Sequence, residues 1–171
     1  MLYHGSNNPN LSAEISAEGV GAGTGCSGFF CCARACQARY YGSFVYRTEE
    51  PTSFFDNRDV DADVLADVLA EHGIDYAEHR DLCWAAVAAE DLRSYEREEW
   101  ADLVDRDEDD ALWFAQALRI ELARRQGFQA VGMNDECGSI VILREFASFE
   151  PVEICPECGE DRHGEDCDCD E

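Results

Sequence analysis

Five side chains near the C-terminus have the types and spacing of a metal site. Cys155-Pro156-Glu157-Cys158 carries the two-residue gap of a zinc knuckle or ribbon, and His163, Cys167 and Cys169 follow it. Zinc takes four nitrogen or sulfur ligands in a tetrahedron, and a short segment can fold around the ion itself. Four residues separate Cys158 from His163 and three separate His163 from Cys167, one short of a CCHC knuckle. Cys169 can replace His163, so the candidates outnumber the places. A paired CxxC and CxC so close together points to metal rather than to an acidic tail of reduced thiols. Nothing suggests an open coordination position, so the metal's expected role is structural.

A second set of residues could do chemistry on a small molecule. His4 sits in His4-Gly5-Ser6 at the end of a short strand-like run. Asp135 and Glu136 occupy a tight connection, Asn134-Asp135-Glu136-Cys137-Gly138, and Tyr40 and Tyr41 stand side by side. Each has a plain reading alone: a hydrogen-bonded structural histidine, two turn acids, two core aromatics. Gly23-x-Gly25-x-x-Gly28 matches the dinucleotide fingerprint as a string. However, its third glycine opens an apolar strand where the fingerprint requires a helix, so a Rossmann site is rejected.

Composition removes several classes. The 171 residues carry 38 acidic side chains against 13 basic ones, a formal net charge of −25. Sequence-independent nucleic-acid binding needs a basic surface, so no direct nucleic-acid contact is expected. Every basic residue is Arg; without Lys there is no Walker A loop and no Schiff base. No run approaches the roughly 18 apolar residues of a membrane span. The N-terminus lacks the basic and apolar regions of a signal peptide, so a cytoplasmic protein is expected, and in that compartment ten Cys argue for metal ligation or buried thiols over disulfides. The acidity fits either a host adapted to high salt or a surface that imitates nucleic acid before a basic partner.

The elements that must position these residues can be read from pattern. Residues 1–6 form a first strand and 7–28 a polar, glycine-rich loop. Gly28-Phe29-Phe30-Cys31-Cys32 is a buried strand, with Cys31 and Cys32 as core residues. A short helix over 34–41 stops at Gly42, and a strand follows over 43–47. Val64, Leu65, Val68 and Leu69 repeat at helical spacing up to Gly73, and 81–95 reads as a second helical stretch. A third, with Ala111, Phe114, Ala115, Leu118 and Leu122 on one stripe, starts from the acidic run 105–110 and ends at Gly127. Two strands, 128–133 and 139–144, flank the acidic connection. Strands at both ends with helices between them predict an α+β fold. The composition shifts after Pro151, which divides the chain into a domain over 1–152 and an acidic, Cys-rich tail over 153–171.

Taken in order, these segments resemble the ADP-ribosyltransferase fold, a split β-sandwich with inserted helices. The likeness rests on His4-Gly5-Ser6, on Gly28-Phe29-Phe30-Cys31-Cys32 followed by Gln37-Ala38-Arg39-Tyr40-Tyr41-Gly42, and on the late acidic turn. The chain is most similar to the ADP-ribosylating type I-F anti-CRISPR proteins of phages and mobile elements. They share the His-Gly-Ser start, a Gly-x-Phe strand and a segment of the form Val-x-Met-x-Asp-Glu-x-Gly-Ser/Thr. Here that segment ends in Val131-Gly132-Met133-Asn134-Asp135-Glu136-Cys137-Gly138-Ser139. The resemblance covers residues 1–150; the middle helices differ, the tail has no counterpart, and Phe30 stands where Tyr is usual.

The resemblance implies an NAD-dependent mono-ADP-ribosyltransferase that modifies a protein, a subunit of a CRISPR surveillance complex. It makes NAD a co-substrate held by His4, Gly5, Ser6, Phe30 and Tyr41. His4 would bond a ribose hydroxyl, the Gly5 backbone the carboxamide, and Phe30 and Tyr41 would sandwich the nicotinamide ring. It makes Asp135 the carboxylate beside an oxocarbenium-like transition state, with Glu136 the adjacent candidate. Two alternatives stand beside it: a non-enzymatic acidic mimic that inhibits a basic protein, and a toxin-like transferase or NAD glycohydrolase.

Overall fold

The structure, a computed structural model, describes residues 1–11, 28–87, 92–133, 139–143, 146–164, 167 and 169. The strands are β1 (Leu2–Ser6), β2 (Gly28–Cys31), β3 (Phe44–Thr48), β4 (Phe54–Phe55), β5 (Ala130–Gly132), β6 (Ile140–Leu143) and β7 (Glu150–Pro151). The helices are α1 (Ala35–Ala38), α2 (Ala62–Glu71), α3 (Arg80–Val87), α4 (Ser94–Leu103) and α5 (Glu108–Arg125). The strands make two sheets, an antiparallel β1-β3-β7 and a mixed β2-β6-β5-β4. An antiparallel bridge between Tyr3 and Cys32 joins them, with Tyr3 N donating to Cys32 O at 2.8 Å and Cys32 N to Tyr3 O at 2.7 Å.

Period-two alternation sorts the strand side chains into layers. On β2 and β6, Phe29, Cys31 and Ile142 turn toward the first sheet, where they pack with Leu2, Tyr46 and Phe149. Val141 and Leu143 turn the other way, onto the helical core of Phe55, Leu65, Val68, Leu69, Trp100, Leu118 and Leu122. On the outer face of the first sheet, Tyr3 and Val45 pack with Ala35 and Ala38 of α1 and with Val152 and Ile154. Cys31 and Cys32 are buried, as expected of a core strand.

The helix ends follow their caps. Asp61 accepts from the amides of Asp63 and Val64 at the start of α2, and Asp107 accepts from Asp110 N at the start of α5. Gly127, at φ 79°, follows the end of α5. The 81–95 stretch is two helices rather than one. Arg93 is extended at φ −65°, ψ 155°, and its N–H donates 2.7 Å to Glu96 Oε2, a new N-terminus that opens α4. The helix expected over 34–41 is one turn, α1, and Tyr40 and Tyr41 lie beyond it, exposed rather than in a core. Two strands have no counterpart in the sequence reading: β4, parallel to β5, and β7, antiparallel to β3.

Candidate active site

The His-Gly-Ser strand is set by contacts on both faces. Alternation along β1 turns Leu2 and His4 between the sheets and Tyr3 and Gly5 toward α1. His4 is 9% exposed, and its Nδ1 lies 2.8 Å from Phe30 O. A carbonyl only accepts, so Nδ1 carries the hydrogen and Nε2 of the neutral ring is left as an acceptor. Its ring meets Phe29 edge-on at 5.4 Å and Phe149 at 5.4 Å. Burial lowers the His4 pKa below the usual histidine value, against the smaller opposing effect of the Phe30 carbonyl. The ring is therefore neutral at pH 7.

Gly5 is glycine because α1 comes too close for anything else. A Cβ there would overlap the Ala38 carbonyl oxygen and lie 2.9 Å from its carbon and 3.2 Å from Gly42 N. Gly42 is held the same way, since a Cβ would overlap the Ser6 backbone. Tyr41 N donates to Ala38 O at 3.0 Å, so the end of α1 and the Gly42 turn are tied together against β1. Ser6 Oγ accepts from Asn8 N at 3.0 Å, and Asn7 Oδ1 accepts from Ser43 N at 3.2 Å. The Tyr46 hydroxyl donates to Asn8 O at 2.7 Å, fixing the chain as it leaves β1.

The five residues expected to hold a cofactor are only partly brought together. Gly5, the Ser6 backbone and Tyr41 belong to one close-packed junction of β1, α1 and the Gly42 turn, whereas the His4 ring takes the other face of β1, between the sheets. Tyr41 is 48% exposed. Phe30 joins through its carbonyl. Its ring takes the opposite face of β2 from Phe29, half-buried against the helical core and edge-on to Trp113 of α5 at 6.1 Å.

Asp135 and Glu136 lie outside the described residues. The ends of their connection are described: Met133 N donates to Ser139 O at 2.9 Å, and Ile140 pairs with both Gly132 and Cys31. These described ends therefore lie beside the end of β2 from which Cys32 bridges to Tyr3, the neighbour of His4. Arg119 holds the same place from below. It is 4% exposed on α5, and its Nε donates to Gly132 O at 2.9 Å and its Nη1 to Val87 O at 3.0 Å. Its guanidinium also lies over the Phe55 ring at 5.3 Å. Burial lowers its pKa to about 10, with Asp56 and Asp59 acting in the opposite direction. Sequence reasoning missed Arg119, although a signal was present: it falls at helical spacing from Ala115 and Leu122, a charge on an apolar stripe.

In the tail, Cys155, Cys158, Cys167 and Cys169 bring their sulfurs within 4.8 Å of one another. His163, the other candidate ligand, is exposed and outside this group, with its backbone N–H on Asp161 Oδ1 at 3.0 Å. Cys169, not His163, completes the group of four. Amides of Cys158 and Glu157 lower the Cys155 thiol to about 7. No such partner reaches Cys31, whose thiol burial pushes well above its ordinary value, as expected of an inert core residue.

Two sheets joined at a His-Gly-Ser strand, with helices inserted between the strands, make an ADP-ribosyltransferase-like α+β fold. The family described as "Anti-CRISPR Type I-F ADP-ribosyltransferase AcrIF11" matches residues 1–146, and the chain belongs to it. A solved structure described as a crystal structure of an anti-CRISPR protein is similar in fold, with a TM-score of 0.58 and 22% identity over 88% of this chain and 93% of that one. No curated protein matches. Among the described residues, no helix is long and apolar enough to cross a membrane.

Proposed function

We propose that this chain transfers ADP-ribose from NAD to a protein of a CRISPR surveillance complex. The observation that carries the reading is β1 itself, which lies within the family match, packs Gly5 against α1 on one face and holds a neutral His4 with an acceptor nitrogen on the other. A neutral imidazole suits the site, because NAD brings its own pyridinium cation and a charged ring would repel it. His4 Nε2 would accept from a ribose hydroxyl, the backbone of Gly5 and Ser6 would bind the carboxamide end, and Tyr41 would cover the nicotinamide, while Phe30, its ring turned to the helical core, serves only through the carbonyl that holds His4.

In the reaction the bond between C1′ and the nicotinamide nitrogen breaks, and its electron pair leaves with neutral nicotinamide. Positive charge spreads over C1′ and the ring oxygen until a nucleophile of the target attacks C1′ and gives up its proton. Asp135 is the residue we assign to stabilise that charge, a role in which one preorganised electrostatic contact is worth about 10²–10³ in rate. If residues 135 and 136 are extended, Glu136 points to the other face. Water in place of the target nucleophile would make the same site a glycohydrolase.

The test is intact mass of candidate surveillance-complex subunits after incubation with NAD, alongside transfer from labelled NAD. One added ADP-ribose is expected with wild type and with Glu136→Ala, and none with Asp135→Ala or Asp135→Asn. Full activity of Asp135→Ala with a dead Glu136→Ala moves the role one residue along. Activity in both sinks the assignment. The net charge of −25 favours one rival, an acidic mimic of nucleic acid. A mimic would inhibit one to one without NAD, whereas an enzyme inactivates excess target only with it.

A further inference from the structure

We propose that the four tail cysteines hold one structural zinc ion, and that this centre clamps α1 and through it the His4-Gly5-Ser6 strand. The first step rests on geometry. Zinc–thiolate bonds are about 2.3 Å, which places the sulfurs of a tetrahedron about 3.8 Å apart. Cys158 Sγ and Cys167 Sγ stand 3.7 Å apart, far beyond a disulfide bond of about 2.0 Å. All four sulfurs fall within 4.8 Å of one another. The first pair is presented by a tight turn, with Gly159 N donating to Cys155 O at 2.9 Å and Gly159 at φ 80°, a conformation L side chains rarely adopt. Cys155 N donates to Glu160 O at 2.8 Å and Arg162 N to Glu153 O at 2.8 Å, which closes a small hairpin around the sulfurs.

The second step follows from what that hairpin carries. Glu160 is 2% exposed, accepts from Arg34 in an ion pair, and takes the Cys36 amide on Oε2 at 3.3 Å. Both partners lie at the start of α1. Asp161, 3% exposed, pairs with Arg47 of β3 at 3.4 Å. Ile154 and Val152 pack on Ala35, Ala38 and Tyr3. Two buried carboxylates so close together need a rigid frame to stay aimed at their cations. The hairpin is too short to supply it from apolar burial, whereas a metal centre can. Residues 147–171, which carry the hairpin, lie beyond the family match, while the residues it docks on lie within it. The centre has no place in the transfer chemistry, and its readouts need no NAD.

The experiment is metal analysis of the full chain purified under reductant, then exchange of the zinc for Co²⁺ and amide hydrogen exchange with and without chelator. One zinc per chain is expected, with the charge-transfer and visible bands of a tetrahedral tetrathiolate cobalt site. Cys158→Ser and Cys169→Ser should each lose those bands, while His163→Ala keeps them. Chelation should speed exchange at Arg39 N and at the Tyr3 and Cys32 bridge amides by tenfold or more. Glu160→Ala should do the same with its metal retained, separating the clamp from the site. A reduced chain that binds no metal overturns the site, as does cobalt bound with His163 in place of Cys169. Metal removal or Glu160→Ala that leaves exchange at Arg39 unchanged overturns the clamp.

Discussion

Arg119→Met tests how the acidic connection between β5 and β6 is held. The substitution keeps an unbranched apolar stem and removes the guanidinium with its charge and both hydrogen bonds. Hydrogen bonds to a charged group are worth about 1.5–3 kcal/mol each, and here the two acceptors, Gly132 O and Val87 O, lose a buried donor. Against that loss stands relief of the buried cation. Its pKa falls from 12.5 to about 10, which corresponds to roughly 3 kcal/mol of burial penalty. The bonds outweigh the penalty by a net of about 1 kcal/mol, a melting-temperature drop of roughly 2–4 °C for a chain of this size. Arg119→Lys should recover part of it, since one ammonium cannot reach both carbonyls with the fork of a guanidinium.

The functional effect should exceed the stability effect. Gly132 O is held three residues before Asp135, so on the proposed assignment loosening it would weaken the placement of the carboxylate. Transfer from labelled NAD should fall more than tenfold at a temperature where the variant is fully folded, and the Met133 amide should exchange faster. Arg58→Met is the control: its pair with Asp56 is exposed, and such pairs contribute under about 1 kcal/mol. An Arg119→Met protein that melts and transfers like wild type would refute the argument. Loss of stability without faster exchange at Met133 would leave Arg119 a core residue with no positioning role.

Gly5→Ala should cost about 1–3 kcal/mol as overpacking and weaken NAD binding several-fold, because the added carbon meets Ala38 backbone rather than a side chain that can swing away; Gly132→Ala, with nothing within 4 Å of the added carbon, should melt like wild type. Equal melts for the two would dispose of the close-approach argument. Stability should fall as pH drops below about 6.5, since the unfolded chain then binds a proton at His4 that the folded ring, its pKa lowered by burial, refuses. His4→Gln should flatten that part of the melting curve between pH 5 and 7. Carboxylates such as Asp56 and Glu96, both lowered to about 2, lose their contribution only at more acidic pH.

Much of the fold was legible where local chemistry and tertiary packing agree. Gly73 and Gly127 stop helices that the apolar period had already defined, and Asp107 caps α5 from an acidic run visible in the sequence. The division of 81–95 into two helices was not visible, because its alanines fit either outcome and the break depends on a backbone bond from Arg93 to Glu96. β4 is two residues between Pro51, Ser53 and Asp56, too short to show a period. It exists because Phe54 and Phe55 find β5 as a parallel partner about 75 positions away.

The candidate site was legible as residue types and only partly as geometry. His4 and Phe30 were expected to share a ligand through their rings, but alternation on β2 assigns ring contact with His4 to Phe29 and leaves Phe30 only its carbonyl. A strand read as a continuous apolar run gives no clue to which face each residue takes, and that choice was made by the partners, β1 on one side and α5 on the other. The tail shows the same limit in another form. Spacing allowed His163 or Cys169 as fourth ligand, because both lie within reach of a short loop. In the structure the four Cys sulfurs group together and His163 stays outside, while Asp161 takes the His163 amide on Oδ1 and pairs with Arg47 through Oδ2, so the carboxylate that docks the hairpin on β3 also fixes the backbone at His163. The acids that looked like a solvated tail are therefore of two kinds, and Glu160 and Asp161 are aimed inward at the arginines of α1's first turn and β3. Composition could not separate them, because a buried and an exposed carboxylate count equally toward a net charge of −25.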